Sequence, residues 1–267
     1  MTKVLAAITN NSVAPAVLAT ARGVAHLCSG TVEALHVGEA DAAVAETARQ
    51  AGVPLRTLAG EPVDVLARAS VADEIVAIVL GAPDAARAMD PADSTALQLI
   101  AVLEKPVVLV PREGGAVQEV ISRILVPLDG TAGSAAALDK LVRLAADATV
   151  EIVVAHIHEA RALPAFSDHL AHEVRAWSEE FLARNCPSAP NATLELRVGE
   201  PHEHVLDILR HSGCDLVALG WLQNLAAGHG AVVRRMLADS PVPVLLIPTR
   251  RDAAASLPAA GADPGGV

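Results

Sequence analysis

The sequence predicts an α/β protein that contains two tandem copies of one doubly wound domain, each with a five-stranded parallel sheet. Gly60-Glu61-Pro62 recurs as Gly199-Glu200-Pro201. The glycines that end the next apolar runs, Gly81 and Gly220, have the same separation as these two blocks. In both halves short Val/Ile/Leu-rich runs alternate with longer Ala-rich segments of helical periodicity, which is typical of parallel strands buried on both faces. A fixed internal period of this kind indicates repeated structural units.

Each predicted strand is one of the apolar runs, and each predicted helix is the amphipathic segment that follows it. In the first copy we predict strands at 3–8, 31–37, 53–58, 75–80 and 106–110, and helices at 12–28, 41–51, 62–72 and 95–104. In the second copy we predict strands at 122–127, 149–156, 192–197, 215–219 and 243–247, and helices at 132–147, 165–184, 202–212 and 231–239. Extra residues around 160–185, including Trp177 and Phe181, predict a longer second helix there.

These elements divide the chain into a domain at 1–111, a linker at 112–121, a domain at 122–248 and a tail at 249–267. The linker contains a polar, glycine-containing stretch, and the Ala/Gly/Pro/Ser-rich tail is expected to be disordered. The duplication hypothesis requires the strand order 3-2-1-4-5 in both copies. A different order in the two halves, or a single continuous sheet shared by them, would contradict it.

Composition excludes several classes of function. No apolar run approaches the roughly 20 residues that a bilayer span needs, so we expect a soluble globular protein without membrane association. The net charge of −11, with two Trp, two Phe and no Tyr, argues against nucleic-acid binding. No signal-peptide pattern follows Met1, so we expect a cytoplasmic protein. Cys28, Cys186 and Cys214 lack CxxC spacing and are expected to be buried small hydrophobes rather than disulfide or zinc ligands.

In a sheet with this strand order, ligands bind at the carboxyl ends of strands 1 and 4. In the second copy these ends are followed by residues 127–131 and 220–223, and Gly228-His229-Gly230 precedes a helix. Glycine at a helix N-terminus allows backbone N–H groups to approach a phosphate. The alternative is that such glycines only form tight turns, which we favour for Gly81. The predicted binding residues are Pro127, Leu128, Asp129, Gly130, Gly220, Gln223, Gly230, Ala231 and Val232.

Residues 216–248, together with 124–130, resemble the universal stress protein domain, and the whole chain resembles a tandem-domain member over 3–111 and 122–248. The resemblance implies an adenine-nucleotide alpha-hydrolase-like fold. Asp129 resembles the aspartate of members that bind ATP. The phosphate loop of those members reads Gly, two residues, Gly, nine residues, Gly, then Ser or Thr.

Both copies depart from that loop. In the second copy Gln223 replaces the middle glycine, residues 224–229 form a shorter loop, and Ala231 replaces the hydroxyl residue. Backbone donors at 230–232 remain, so we expect weak binding of ATP or another adenine nucleotide there.

In the first copy Thr9-Asn10 stands where the aspartate is expected. The carboxylates of Asp84, Asp90 and Asp93 would repel a phosphate. We expect a degenerate nucleotide site in this copy.

Other chemistries have weaker support. His169 and His172, flanked by Asp168 and Glu173, could face one metal, as could His202-Glu203-His204, although exposed helix faces explain both clusters. The chain has no GxSxG or HExxH motif, so we expect no enzyme and no catalytic residues. The leading interpretation is a non-enzymatic stress-response module. The alternative is a scaffold that binds no nucleotide and acts through its paired domains and surface helices.

The last strands of the two copies are apolar and would be exposed at a sheet edge if unpaired. We therefore expect residues 107–110 to pair with 244–247 and to form an intrachain pseudo-dimer. A homodimer of two chains and an unidentified protein partner remain open alternatives.

Overall fold

The computed structural model describes residues 1–83, 94–112, 119–145, 148–158, 170–224 and 230–249, with the backbone alone at 170–174. The first copy consists of β1 (Lys3–Ala7), α1 (Ala14–Leu27), β2 (Thr31–Val37), α2 (Ala42–Gln50), β3 (Leu55–Leu58), α3 (Pro62–Ser70), β4 (Ile75–Gly81), α4 (Thr95–Val102) and β5 (Val107–Val110). The second consists of β6 (Arg123–Pro127), α5 (Ala132–Leu144), β7 (Glu151–His158), α6 (Leu170–Asn185), β8 (Thr193–Val198), α7 (Pro201–Ser212), β9 (Leu216–Trp221), α8 (Ala231–Asp239) and β10 (Val244–Pro248).

All ten strands join one sheet in the order β3-β2-β1-β4-β5-β10-β9-β6-β7-β8. Within each copy the strands are parallel and follow the same order, 3-2-1-4-5, so the predicted fold class is confirmed. The copies join through β5 and β10, which run antiparallel with Val107 opposite Leu246 and Leu109 opposite Val244. The predicted pairing of the last strands is therefore confirmed.

The sheet is nevertheless continuous across the two copies. Our expectation that duplication requires a separate sheet in each copy was therefore wrong. Pairing of the last strands, which the edge-strand argument also predicted, necessarily fuses two sheets into one. Because the strand order repeats on both sides of the single antiparallel join, duplication remains the explanation of the architecture.

The sheet is buried on both faces, and each face carries one apolar cluster that spans both copies. Neighbouring residues of one strand belong to opposite clusters: Ile78 lies in one and Val79 in the other, and both are fully buried. This is why the strands appear in the sequence as continuous rather than alternating apolar runs. At roughly 25 cal/mol per Å² of apolar surface, this burial is the main force that holds the layers together.

Short polar side chains determine where several helices begin. Asn11 Oδ1 accepts hydrogen bonds from the amides of Val13 and Ala14 before α1, and Asp41 Oδ1 does the same for Ala43 and Val44 in α2. Thr131 is the N-cap of α5. These bonds satisfy amides that have no partner within the helix.

Parts of the predicted linker and of the predicted tail lie in the described part of the chain. Ile121, which we assigned to the linker, is 3% exposed and packs in the core, whereas residues 113–118 lie outside the described residues. Thr249, which we assigned to the tail, is buried and donates its amide to the Trp221 carbonyl at 2.9 Å. The rest of the predicted tail lies outside the described residues.

All three cysteines are free; Cys186 and Cys214 are buried, as predicted, and Cys28 is only partly buried. Within the described ranges no helix has both the length and the apolar character that a bilayer crossing requires.

Candidate functional site

Strands β6 and β9 are parallel neighbours, with Ile124 opposite Leu216 and Leu125 opposite Val217, so their carboxyl ends lie at the same edge of the sheet. A cavity of about 160 Å³ opens at this point. Five of the predicted binding residues line it: Pro127, Leu128, Asp129, Gly220 and Val232. The other described lining residues, which the sequence did not single out, are Ser134, Ala155, Ile157, Pro201, Val205, Leu219 and Val233.

Asp129 lies just before the N-terminus of α5, and hydrogen bonds from nearby residues fix its carboxylate. Its Oδ1 accepts hydrogen bonds from the Thr131 amide at 2.9 Å, the Thr131 hydroxyl at 2.7 Å and the Ser134 hydroxyl at 2.7 Å. Burial alone would raise the pKa of Asp129, but the hydrogen bonds from Thr131 and Ser134 outweigh it and hold the pKa below its ordinary value. Asp129 is therefore a fixed, ionised carboxylate on the cavity wall.

Gly220 and Gly230 are needed for packing as well as for any ligand. A Cβ at Gly220 would lie 3.2 Å from the Cβ of Ala137 in α5, so glycine lets this helix approach β9 closely. Gly230 precedes α8 with φ +64°, and a Cβ there would lie 3.3 Å from the ring of Trp221. Both contacts support the alternative in which these glycines form tight turns. The first turn of α8 still reaches the cavity through Val232 and Val233.

Gln223 does not line the described cavity. Its side-chain amide donates to the carbonyl of Leu103, in the first copy, at 2.7 Å. The indole Nε1 of the neighbouring Trp221 donates to the carbonyl of Ile100 at 2.9 Å. Gly130, Gly230 and Ala231 are also absent from the lining, although Gly130 adjoins Asp129 and Ala231 adjoins Val232, which line it.

The equivalent cleft of the first copy is larger, at about 490 Å³. It lies within the range of about 300–1,000 Å³ that is usual for small-molecule sites, whereas the cavity of the second copy falls below that range. Its polar lining includes Thr9, Asn11, Ser94, Thr95 and Arg112. The Arg112 guanidinium donates to the carbonyl of Ala82 at 2.9 Å. Asp84, Asp90 and Asp93, whose repulsion we expected here, lie outside the described residues.

A wider cavity of about 720 Å³ lies at the opposite end of the first copy's strands. Its charged lining residues include Arg22 and Arg56, and Glu33 there pairs with both Lys3 and Arg56. The carboxyl ends of α1 and α2 adjoin it, and their partial negative charge favours the cations already present rather than an anionic ligand. We assign no ligand to this cavity.

A pair of buried histidines was missed by the sequence reasoning. His156 Nδ1 lies 2.6 Å from the Leu128 carbonyl, and His36 Nδ1 lies 3.1 Å from the Ile8 carbonyl at the equivalent place in the first copy. In the second copy His156 also stacks with Trp177 at a centroid distance of 5.6 Å and packs in a tilted arrangement against Phe181 at 4.3 Å. Recurrence of histidine on the second strand of both copies was the signal that could have identified this pair.

The proposed metal clusters gain no support from the described side chains. In that part of the chain no group of three or more His, Cys, Asp or Glu side chains could hold a metal ion. His169 and Asp168 lie outside the described residues, as do the side chains of His172 and Glu173.

The sequence of the second half of the chain matches a known protein family. Residues 121–248 match the model of the universal stress protein family. No curated protein sequence is similar enough to this chain to be matched.

Solved structures extend the fold to the whole chain. A universal stress protein from Archaeoglobus fulgidus DSM 4304 superposes with a TM-score of 0.63 at 17% identity, and the match covers 94% of this chain and 97% of that one. A functionally unknown protein from Pseudomonas aeruginosa PAO1 gives 0.62 at 15% identity, with 92% of each chain covered. A universal stress protein solved in complex with cAMP matches 47% of this chain and 95% of its own, at 20% identity with a TM-score of 0.36. Residues 121–248 therefore belong to the universal stress protein family, and the first copy repeats the fold of this domain.

Proposed function

We propose that this chain is a non-enzymatic stress-response module whose second copy binds an adenine nucleotide weakly. The observation that supports this best is that the ionised Asp129 lines the β6–β9 cavity together with Val232 and Val233 from the first turn of α8. A carboxylate can accept hydrogen bonds from ribose hydroxyls, and the N-terminus of a helix favours a phosphate. The aliphatic side chains of Leu128, Val205 and Leu219 supply an apolar floor for a base.

Three features make the binding weak. The cavity of about 160 Å³ is small for a ligand site. Ala231 offers no hydroxyl at the start of α8. Gln223, which replaces a glycine of the family's phosphate loop, directs its amide to Leu103 instead of the cavity. We therefore propose that the base and ribose contribute most of the affinity.

The lining also supports a non-enzymatic role. Asp129 is the one ionisable side chain among the described lining residues of this cavity. Phosphoryl transfer depends on several positioned groups for the metal ion, the nucleophile and the developing charge. Binding without turnover is the function that these residues support.

Titration calorimetry with ATP tests the proposal. Asp129→Asn is the informative variant because the amide oxygen can still accept from Thr131 and Ser134 while the charge is lost. We expect measurable but weak binding for the wild type and binding about tenfold weaker or more for Asp129→Asn, as for loss of a hydrogen bond to a charged group. Thr9→Ala, at the equivalent position of the first copy, is the matched control and should leave the affinity unchanged. Absence of heat for the wild type would remove the nucleotide claim.

A second function, an interaction scaffold that binds no nucleotide, is favoured by the contacts of Trp221 and Gln223. Both side chains stabilise the junction between the copies instead of a ligand. A scaffold of this kind would present its helices to a protein partner or to a second copy of the chain. Mass spectrometry of the small molecules released from purified, heated protein separates the two functions, because recovery of a stoichiometric nucleotide rules out the scaffold.

The three free thiols also favour a reducing compartment such as the cytoplasm, which we propose as the site of action.

A further inference from the structure

We propose that helix α4 of the first copy couples the two ligand clefts, so that a change in the first cleft alters the wall of the second. This inference rests on the proposed function for its biological meaning, but the contacts that carry it involve the protein alone. It gives the first copy a regulatory role that does not require it to bind a nucleotide.

The N-terminal end of α4 forms part of the first cleft. Ser94, Thr95 and Ala96 line that cleft, and the Ser94 hydroxyl accepts a hydrogen bond from the Leu97 amide at 3.4 Å. Whatever occupies or reshapes the first cleft therefore contacts the first turn of this helix. The eight residues of α4 span about 12 Å, since the rise is 1.5 Å per residue.

The other end of α4 is held by the second copy. Carbonyls in the last turn of a helix have no partner within it, and here two carbonyls at this end accept from side chains of the other copy. Trp221 Nε1 donates to the Ile100 carbonyl at 2.9 Å, and Gln223 Nε2 donates to the Leu103 carbonyl at 2.7 Å. The Trp221 side chain is in a dry environment, since the residue is 2% exposed.

The side chains of Trp221 and Gln223 do not line the second cleft, but Trp221 adjoins residues that form or border its wall. Trp221 directly follows Gly220, which lines the cavity, and its ring packs against Gly230 at the start of α8. Gln223 has φ +56°, a backbone conformation that is unfavourable for a residue with a side chain. The bond to Leu103 offsets that cost, so the position of α4 influences the conformation of this segment.

The contact that would carry the coupling is present on one side only. The position equivalent to Trp221 in the first copy is Ala82, which has no side-chain donor. The first copy therefore cannot make the reciprocal contact through this position, and α4 is the helix that both copies share. Any coupling free energy between the two clefts must still act in both directions once both are occupied.

Hydrogen exchange of the full-length chain, measured without ligand, tests the coupling. Ser94→Ala removes the cap at the first-cleft end of α4. We expect amide exchange in residues 231–237 of the second copy to become faster by roughly two- to thirtyfold, the range that corresponds to loss of a helix cap. Asp41→Ala is the matched control, because it removes the equivalent cap of α2 in the same copy and should leave 231–237 unchanged.

The same Ser94→Ala change is then made in a Trp221→Phe, Gln223→Ala background. We expect its effect on residues 231–237 to disappear there, because the two bonds that transmit it are gone. Gln223→Ala alone serves if the double variant does not fold. The proposal is overturned if Ser94→Ala and Asp41→Ala affect residues 231–237 equally, or if the effect of Ser94→Ala persists in the background. Because these measurements need no nucleotide, a failed ATP titration leaves them interpretable.

Discussion

His156 holds the carbonyl of Leu128 through Nδ1 at 2.6 Å, and this bond fixes the backbone that leads into Asp129. Both residues are buried, at 7% and 3% exposure. A buried carbonyl that loses its donor is costly, because water cannot replace it. The same relationship between His36 and Ile8 shows that each copy uses a histidine of its second strand to fix the turn after its first strand.

Replacing His156 with alanine should therefore destabilise the protein by about 1–3 kcal/mol, from the unsatisfied Leu128 carbonyl, with a further cost from the lost ring contacts with Trp177 and Phe181. His26→Ala, at an exposed position of α1, should change stability by less than about 0.5 kcal/mol. Urea denaturation followed by circular dichroism measures both. Equal effects of the two changes would show that the His156 bond contributes nothing.

The stability should also depend on pH through His158. Burial lowers the pKa of His158, and the neighbouring His156 lowers it further. The imidazole of His158 therefore binds a proton less tightly in the folded protein than in the unfolded chain, where the pKa of histidine is about 6.5. The contribution of neutral His158 to the free energy of unfolding is complete above the pKa of the unfolded chain. It is lost as the pH falls from that value towards the lower pKa of the folded state.

We expect the free energy of unfolding to fall less steeply between about pH 7.5 and 5.5 for His158→Gln than for the wild type. His26→Gln controls for the removal of an exposed imidazole. Parallel curves for the wild type and His158→Gln would refute this assignment.

Glycine at position 230 is predicted to be required for two separable reasons. In Gly230→Ala the alanine would have to adopt φ +64°, which is unfavourable for a residue with a Cβ. Its Cβ would also lie against the Trp221 ring. Gly213→Ala meets only the first condition, because its φ is +65° and nothing lies within 4 Å of an added Cβ. We expect Gly213→Ala to cost about 1–2 kcal/mol and Gly230→Ala to cost more. Thermal unfolding of the two variants gives the comparison, and a smaller cost for Gly230→Ala would show that the ring yields freely.

The β5–β10 junction should make the two copies unfold together. Trp177 and Trp221 both lie in the second copy, so tryptophan fluorescence reports that copy while circular dichroism reports both. We expect the two urea transitions to coincide. Leu245→Ala, at a buried position that pairs with Val108, should shift both transitions together by about 2–5 kcal/mol.

Leu196→Ala in the outer strand β8 is the control for the junction. It removes the same side chain from a half-buried position and should shift the transitions less. Two separated transitions in the wild type would show that the copies are independent folding units.

The cysteines should react slowly in the native protein. Burial raises the pKa of Cys186 to about 11, and the nearby Asp139 adds to the shift. Burial also raises the pKa of Cys28 and Cys214. Since the thiolate is the reactive form, we expect slow modification by a disulfide reagent near pH 8 and rapid reaction of all three thiols in denaturant. Fast reaction of the native protein would show that these sites open readily.

Much of the architecture was predictable because its signals are local and occur twice. The predicted bounds of β2 and α8 agree with the structure, and the other described elements differ by a few residues at their ends. The first helix begins at Ala14 rather than at 12, and the side chain of Asn11 accepts hydrogen bonds from the amides of Val13 and Ala14 in the turn that leads into it. The position of Asp129 after β6 was predictable because the apolar run defines that strand, whereas its role in nucleotide binding came from the family resemblance and stays a prediction.

The sequence by itself determined the duplication and predicted the strand order and the pairing of β5 with β10, because each apolar run and the turn residues that end it are local signals that occur in both copies. Only the tertiary structure decided the unequal sizes of the two clefts, the bond between His156 and Leu128, and the reach of Trp221 and Gln223 into the first copy. These features depend on distances between side chains that are far apart in the sequence. No local pattern encodes such distances, because packing sets them only when the layers come together.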